Sequence, residues 1–188
     1  GYVGRQPGTL ARDSDTWYTP AKYLASARLV LGAIDFDPFS SAEANRVVQA
    51  GYYFDPTYSA LTHRWRNAAK QLLFPDGLNV WMNPPYSAKL LGPAVQAFCH
   101  ALEIGDISQA VVLVNNATET QWFQSLREVS SAVCFPTRRI AFTTVDGKQE
   151  GGNTRGQAFF YYGAPLGVER FVHEFQIYGW VIRRDGGW

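Results

Sequence analysis

The sequence predicts an open, mostly parallel α/β sheet flanked by helices, with an antiparallel hairpin near the C-terminus. Three observations lead to it. Short β-like runs at 33–37, 80–82, 110–114 and 132–135 alternate with segments whose apolar residues fall at helical spacing, the pattern of strand–helix–strand units. The run 110–114 is continuously aliphatic, as a central strand covered on both faces must be. Two β-like runs, 139–145 and 156–162, flank a Gly-rich loop and predict the hairpin. At 188 residues the chain can bury a good core and is most simply one domain.

Residues 1–14 combine glycines with basic side chains and lack periodicity, which predicts a flexible arm ahead of a domain over 15–188. The missing initiator Met suggests processing or a cut end. Thr19 as cap and Pro20 at the first helical position open a helix. Its Leu24, Ala27 and Leu31 share a face, and Gly32 stops it. Residues 33–37 alternate apolar and acidic side chains and predict a short strand, ended by Asp37-Pro38-Phe39. A helix through about Ala50 follows, then a strand at 52–54. Residues 55–77 are loop-rich, with Leu61, Trp65 and Ala69 at the spacing of a helical turn. The strand 80–82 leads into a long helix with Leu90, Ala94, Ala97, Phe98 and Ala101 on one face. Helices at 119–128 and 168–176 and a last strand at 178–183 complete the pattern.

Composition narrows the class. A hydrophobic fraction of 46% and a charged fraction of 18% describe a soluble globular protein. No apolar run approaches the ~20 residues of a membrane span, and no signal peptide is visible. Cys99 and Cys134 lie singly in apolar segments and read as buried thiols of a reducing, cytoplasmic compartment. His63, His100 and His173 have no metal-ligand spacing, so no metal site is expected. With a net charge of +1, any nucleic-acid binding must rest on local patches. Neither G-x-x-x-x-G-K-[ST] nor G-x-G-x-x-G occurs, which argues against nucleoside triphosphates and dinucleotides as cofactors.

In such sheets ligands bind beyond the carboxyl ends of the strands. The two sharpest strand exits are Asp37-Pro38-Phe39 and Asn83-Pro84-Pro85-Tyr86, and they face one cleft if their strands are neighbours. At the second exit, two successive residues precede a proline and are held extended. The tetrapeptide offers an amide side chain, a backbone carbonyl without a local hydrogen bond, and an aromatic ring. Those groups suit a flat, amino-bearing ring. The Asn83 oxygen and the Pro84 carbonyl can take the two N–H groups of an aromatic amine and pull its nitrogen toward a tetrahedral shape. Tyr86 can stack on the ring, worth ~1–3 kcal/mol by analogy with single-strand binders. The plain alternative is a Pro-Pro strand terminator with a packed tyrosine. At the first exit, Asp37 can take ribose hydroxyls or an ammonium, with Ser40 and Ser41 beside it; a helix cap in an Asp-Pro turn is its plain alternative.

Asn83-Pro84-Pro85-Tyr86 resembles the (D/N/S)-P-P-(Y/F) signature of amino-group methyltransferases. Trp17-x-Thr19-Pro20, Asp35-x-Asp37-Pro38 with Ser41 and Asn45, Arg139-Ile140-Ala141-Phe142 and the stretch from Gly156 to Gly163 extend the likeness to phage-type DNA N-6-adenine methyltransferases (Dam-like), over roughly residues 15–178. The resemblance implies a Rossmann-like methyltransferase fold, S-adenosylmethionine as cofactor, and DNA as partner. It implies that Asn83, Pro84, Pro85 and Tyr86 form the catalytic motif around a flipped-out adenine, and that Tyr18, Thr19, Pro20, Asp35, Asp37, Pro38 and Ser40 line the cofactor pocket. A phage or mobile-element origin follows from the same likeness. Asp37-Pro38-Phe39-Ser40-Ser41 departs from the family's D-P-F-x-G-x-G loop in lacking its glycines.

DNA contacts are expected from Arg64, Arg66 and Lys70, and from Arg138, Arg139, Lys148 and Arg155 around the hairpin. Singly each reads as a solvated surface charge; grouped, they read as phosphate contacts that position without specifying sequence. Arg183 and Arg184 read as solubilising tail charges. Two other functions stay open on sequence alone: methylation of RNA or a protein glutamine amide by the same site, and a non-catalytic nucleic-acid-binding module of the same fold.

Overall fold

Each predicted strand except one finds its place in a single mixed sheet. The computed structural model describes residues 18–55, 60–68, 75–143 and 153–184. Its strands are β1 (Phe36–Asp37), β2 (Tyr52–Tyr53), β3 (Leu78–Met82), β4 (Ile107–Asn115), β5 (Ala132–Pro136), β6 (Gln157–Tyr162) and β7 (Gly179–Arg183). Its helices are α1 (Ala21–Leu31), α2 (Ala42–Val48), α3 (Trp65–Ala68), α4 (Leu91–Glu103), α5 (Gln121–Val129) and α6 (Pro165–Phe175). The strand order is β2-β1-β3-β4-β6-β5-β7. β1 to β4 pair in parallel, with Phe36 beside Val80 and Val80 beside Ala110, while β6 runs antiparallel between β4 and β5.

The alternation of the strands sorts two apolar layers. Val80, Val112 and Phe160 pack with Phe98 of α4 and Phe123 of α5. Trp81, Leu113 and Phe159 face the other way, onto Leu24 of α1 and Phe171 of α6. The aliphatic run of β4 is shut from solvent on both faces, each of its valines and its leucine contributing about 1.5–3 kcal/mol. Gly77 turns the chain into β3 at φ +98°, where a Cβ would stand 2.8 Å from the Ser108 nitrogen, so both backbone shape and space call for glycine. Cys134 is buried, which pushes its thiol up to about 12, and Cys99 is half-buried.

Several local expectations are corrected. The partner of 157–162 is not the arm 139–145: β6 pairs with β4 and β5. The described part of that arm instead meets Tyr18 through Thr143. A strand filled with aromatics on both faces gains more by burial inside the sheet than in a two-stranded ribbon at its edge. Helix α1 starts one residue after Pro20, whose ψ of 137° is extended, and no side chain caps it; the Thr19 hydroxyl is engaged elsewhere. In α4 the buried stripe starts at Leu91, and Leu90 is exposed, because Leu90 sits in the turn made by Ser87 before the helix proper. Arg183 is no loose tail charge, since it forks onto Glu169 of α6.

Candidate active site

The carboxyl edge of the sheet gathers one polar side chain from each of four adjacent strands. Asp37 ends β1, Asn83 follows β3, Asn115 ends β4, and Gln157 opens the antiparallel β6 directly opposite Asn115. Strand alternation puts them on one face, the one that Trp81, Leu113 and Phe159 share with α1. Thr19, just ahead of α1, closes over this rim.

Asn83 is held by both ends of its amide. Its Nδ2 donates to Thr19 Oγ1 at 3.3 Å, and its Oδ1 accepts from the Tyr86 hydroxyl at 2.9 Å. Thr19 is only 6% exposed, so its hydroxyl serves Asn83 instead of a helix cap. The Tyr86 hydroxyl also reaches the Leu113 carbonyl at 3.4 Å, and its enclosure raises its pKa above the ordinary phenol value. It therefore stays protonated and donates. The Tyr86 ring packs against the α4 layer, which fixes the tetrapeptide from below. One Oδ1 lone pair remains available, and the buried Pro84 carbonyl accepts no hydrogen bond among the described residues. Two acceptors on adjacent residues are thus left available at the strand exit.

The Asp37 corner is built differently. Asp37 is 3% exposed, and burial pushes its carboxyl up to about 7, against the pull of the Phe39 N–H at 3.1 Å and of the nearby Ser40 hydroxyl. Ser40 Oγ is itself buried and makes no hydrogen bond of ordinary geometry. A buried carboxyl whose ionised form is disfavoured, beside a hydroxyl without an ordinary hydrogen bond, is costly for the protein alone, and a ligand bringing an ammonium or ribose hydroxyls relieves both. Ser41 caps α2 by accepting from the Ala44 N–H at 3.1 Å, and Asn45 closes its far end onto Ala50. Among the described residues, Gln49 is the one non-glycine with positive φ. The turn at 37–41 therefore needs no left-handed residue, and serines can stand where glycines were expected.

The remaining predicted residues divide by the end of the sheet they occupy. Tyr18 pairs with Thr143, and Pro20 and Pro38 flank the rim. Asp35 does not join the group: its carboxylate accepts the Asn79 N–H at 2.8 Å, tying β1 to β3 below the rim. Arg138, Arg139 and Arg155 are exposed and lie at the carboxyl edge, after β5 and before β6. Arg64 and Arg66 lie at the opposite edge, around the fully buried Asp106 that precedes β4. The Arg64 Nε is 3.0 Å from its carboxylate, and the Arg66 backbone N–H is 3.4 Å away. Those two arginines therefore lie at the end of β4 opposite to Asn115. Lys70 and Lys148 lie outside the described residues. Asn115 and Gln157 were not singled out from sequence, although Asn115 ends an apolar run just as Asn83 does.

A family model for DNA N-6-adenine-methyltransferase (Dam) matches residues 6–171. The chain belongs to this family. No curated protein matches it. As a Dam-family member the protein is an enzyme, a DNA adenine N6-methyltransferase, and its mixed sheet agrees with a methyltransferase fold. The family implies S-adenosylmethionine as methyl donor and DNA as substrate. The Asp37 corner fits that cofactor chemically, through a buried carboxyl whose one backbone partner among the described residues is the Phe39 N–H and a buried Ser40 hydroxyl without a hydrogen bond of ordinary geometry. Among the described residues no group of His, Cys, Asp and Glu could hold a metal ion, and no helix is long and apolar enough to cross a membrane.

Proposed function

We propose that the protein methylates the N6 amine of an adenine swung out of the DNA duplex into the rim beside Asn83. The observation that carries this reading is the pair of acceptors, Asn83 Oδ1 and the Pro84 carbonyl, next to a buried carboxyl corner on the neighbouring strand. Base pairing and stacking hide the amine in a duplex, so extrusion of the nucleotide is required. When bound, the cofactor supplies a methyl group activated on a sulfonium. Asp37 and Ser40 hold it at the β1 exit, with Tyr18, Thr19, Pro20 and Pro38 as walls. Asn83 and Pro84 accept the two amine hydrogens and turn the nitrogen lone pair out of conjugation. An amide has no useful basicity near neutral pH, so Asn83 works by position and polarity. Attack by the nitrogen lone pair on the methyl carbon would break the methyl–sulfur bond and release a neutral thioether; Asn83 Oδ1 and the Pro84 carbonyl would stabilise the positive charge that passes to the nitrogen, and one N–H proton then leaves to water.

Tyr86 has two parts with separable effects. Tyr86→Phe keeps the ring and removes the donor to Asn83 Oδ1, so kcat is expected to fall about 5- to 30-fold, the value of 1–2 kcal/mol, with DNA affinity nearly unchanged. Tyr86→Ala should weaken both. Steady-state kinetics on both variants separates these outcomes. Arg138, Arg139 and Arg155 fit phosphate contacts, being exposed cations on the rim side. Replacing all three by alanine is expected to lower the slope of log affinity against log salt by about one per lost contact. An unchanged slope would put the duplex elsewhere.

The proposal as a whole is tested by offering DNA, RNA and protein in parallel to the enzyme with methyl-labelled cofactor. Label in DNA is expected, and sequencing of modified bases then gives its target. Label confined to RNA or protein would reject the adenine assignment.

A further inference from the structure

We infer that Asn115 reads the target base itself: its side-chain N–H group donates to a ring nitrogen flanking the amine that Asn83 and Pro84 hold. This rests on the base site proposed above and adds a specificity-determining residue to it.

The orientation of Asn115 follows from a chain of fixed partners. The Ile140 backbone N–H can only donate, and it points at Gln157 Oε1 from 3.1 Å. That fixes the Gln157 amide, so its Nε2 faces the Arg155 carbonyl at 2.9 Å and Asn115 Oδ1 at 3.4 Å. Gln157 is 3% exposed, and Asn153 braces the same segment by donating to the Ile140 carbonyl at 3.0 Å. Asn115 Oδ1 is thereby turned toward β6. The other arm of its planar amide, Nδ2, points away from β6, toward the β3 side of the rim, and donates to none of the described residues. Asn115 is half-buried, so a donor without a partner is held where the Asn83 tetrapeptide leaves the neighbouring strand. The Tyr86 hydroxyl, within reach of the Leu113 carbonyl, shows how closely that tetrapeptide overlies the end of β4.

Two acceptors and one donor side by side match one polarity of base edge. Adenine presents an amine flanked by ring-nitrogen acceptors, N1 on one side and N7 on the other. Guanine and thymine set a carbonyl oxygen against the two acceptors, which leaves buried groups unpaired; on the Watson–Crick side they also bring an N–H against the donor, whereas on the other side guanine keeps the N7 acceptor and is rejected at its carbonyl alone. Cytosine shares the pattern of adenine and differs in size. Gln157 touches no base in this arrangement; it is a positioning residue that keeps Asn115 from rotating.

Deaza substrates test the donor directly. Oligonucleotides carrying adenine, 1-deazaadenine or 7-deazaadenine at the mapped target position are offered to the wild type, Asn115→Leu and Asn115→Asp. The wild type is expected to lose about tenfold or more in kcat/KM on one of the two analogues, and which one names the nitrogen. Asn115→Leu should be slower on adenine by a similar factor and should no longer distinguish adenine from that analogue. Asn115→Asp keeps the acceptor for Gln157 but turns the free arm into an acceptor, so it should also lose the discrimination even if the leucine variant folds poorly. A wild type that accepts both analogues as well as adenine, or variants that retain its preference, overturns the inference. A wild type that transfers no methyl to adenine in DNA rejects the underlying assignment instead, and the inference with it.

Discussion

Asn83→Ala is expected to lower kcat about 10²- to 10³-fold, the cost of removing one preorganised polar group aimed at developing charge, while the dissociation constant for S-adenosylmethionine stays within about twofold. The asymmetry follows from position. Asn83 lies at the β3 exit, where the proposed site receives the acceptor amine, whereas the proposed cofactor corner is at the β1 exit. The alanine variant also leaves the Thr19 hydroxyl without its donor, a loss of about 1 kcal/mol in stability, too small to explain such a fall in rate. Asn83→Asp is the matching control. It restores an acceptor oxygen but cannot donate to Thr19, so it should recover part of the lost rate. Single-turnover methyl transfer with calorimetry on the same preparations measures both quantities. Turnover near the wild-type level in Asn83→Ala would remove Asn83 from the mechanism.

Asp37 should give the largest effect on cofactor binding and a pH signature besides. Asp37→Asn removes one partner of a buried charge-assisted contact, worth about 2–5 kcal/mol, so affinity should drop at least about 30-fold. In the wild type the carboxyl titrates near 7, and only the ionised form holds an ammonium or a ribose firmly. Affinity should therefore be about fivefold to eightfold weaker at pH 6 than at pH 7.5. The lower figure applies if the partner is an ammonium, which begins to lose its own proton toward pH 8. The stability of the free protein runs the other way. The folded carboxyl titrates near 7 and the unfolded one at 3.8, so between those values the folded state binds more protons. Stability thus falls as pH rises through that window, by at most about 1.4 kcal/mol per unit. Asp37→Asn should flatten this slope. Melting curves from pH 4 to 8 on both proteins, without cofactor, check the sign; parallel slopes would mean that the carboxyl is not the group responsible.

The parts of the site that were legible in the sequence are those encoded by neighbours in the chain. Asn83-Pro84-Pro85-Tyr86 announces itself because two prolines end an apolar run, and β3 does end there. The strand–helix alternation likewise predicts the parallel half of the sheet, since apolar period alone distinguishes its elements. What was illegible depends on which end of the sheet a residue reaches. Arg64 and Arg66 read as duplex contacts by charge, yet the fold sets them around Asp106 at the far edge. Asp35 and Asp37 look alike two residues apart, but only Asp37 reaches the rim, because Asp35 is bound to the Asn79 N–H below it. The bond between Asn115 and Gln157 joins residues 42 apart and depends on β6 entering between β4 and β5, which no local pattern announces. Thr19 was read as a helix cap because its sequence context is that of a cap; the nearby amide competed for the same hydroxyl and won.

That late strand has a consequence for how the chain acquires its shape. Strands β4 and β5 follow one another in sequence, but they cannot become neighbours, since the space between them is reserved for a segment starting at Gln157. Until that segment arrives, β4 presents a long aliphatic edge with unpaired backbone groups, an invitation to pair with another chain. Contacts of such large sequence separation also close slowly. Chains interrupted before residue 157 should therefore be prone to aggregation, and the strand whose insertion relieves this is the one that brings Gln157 to the rim.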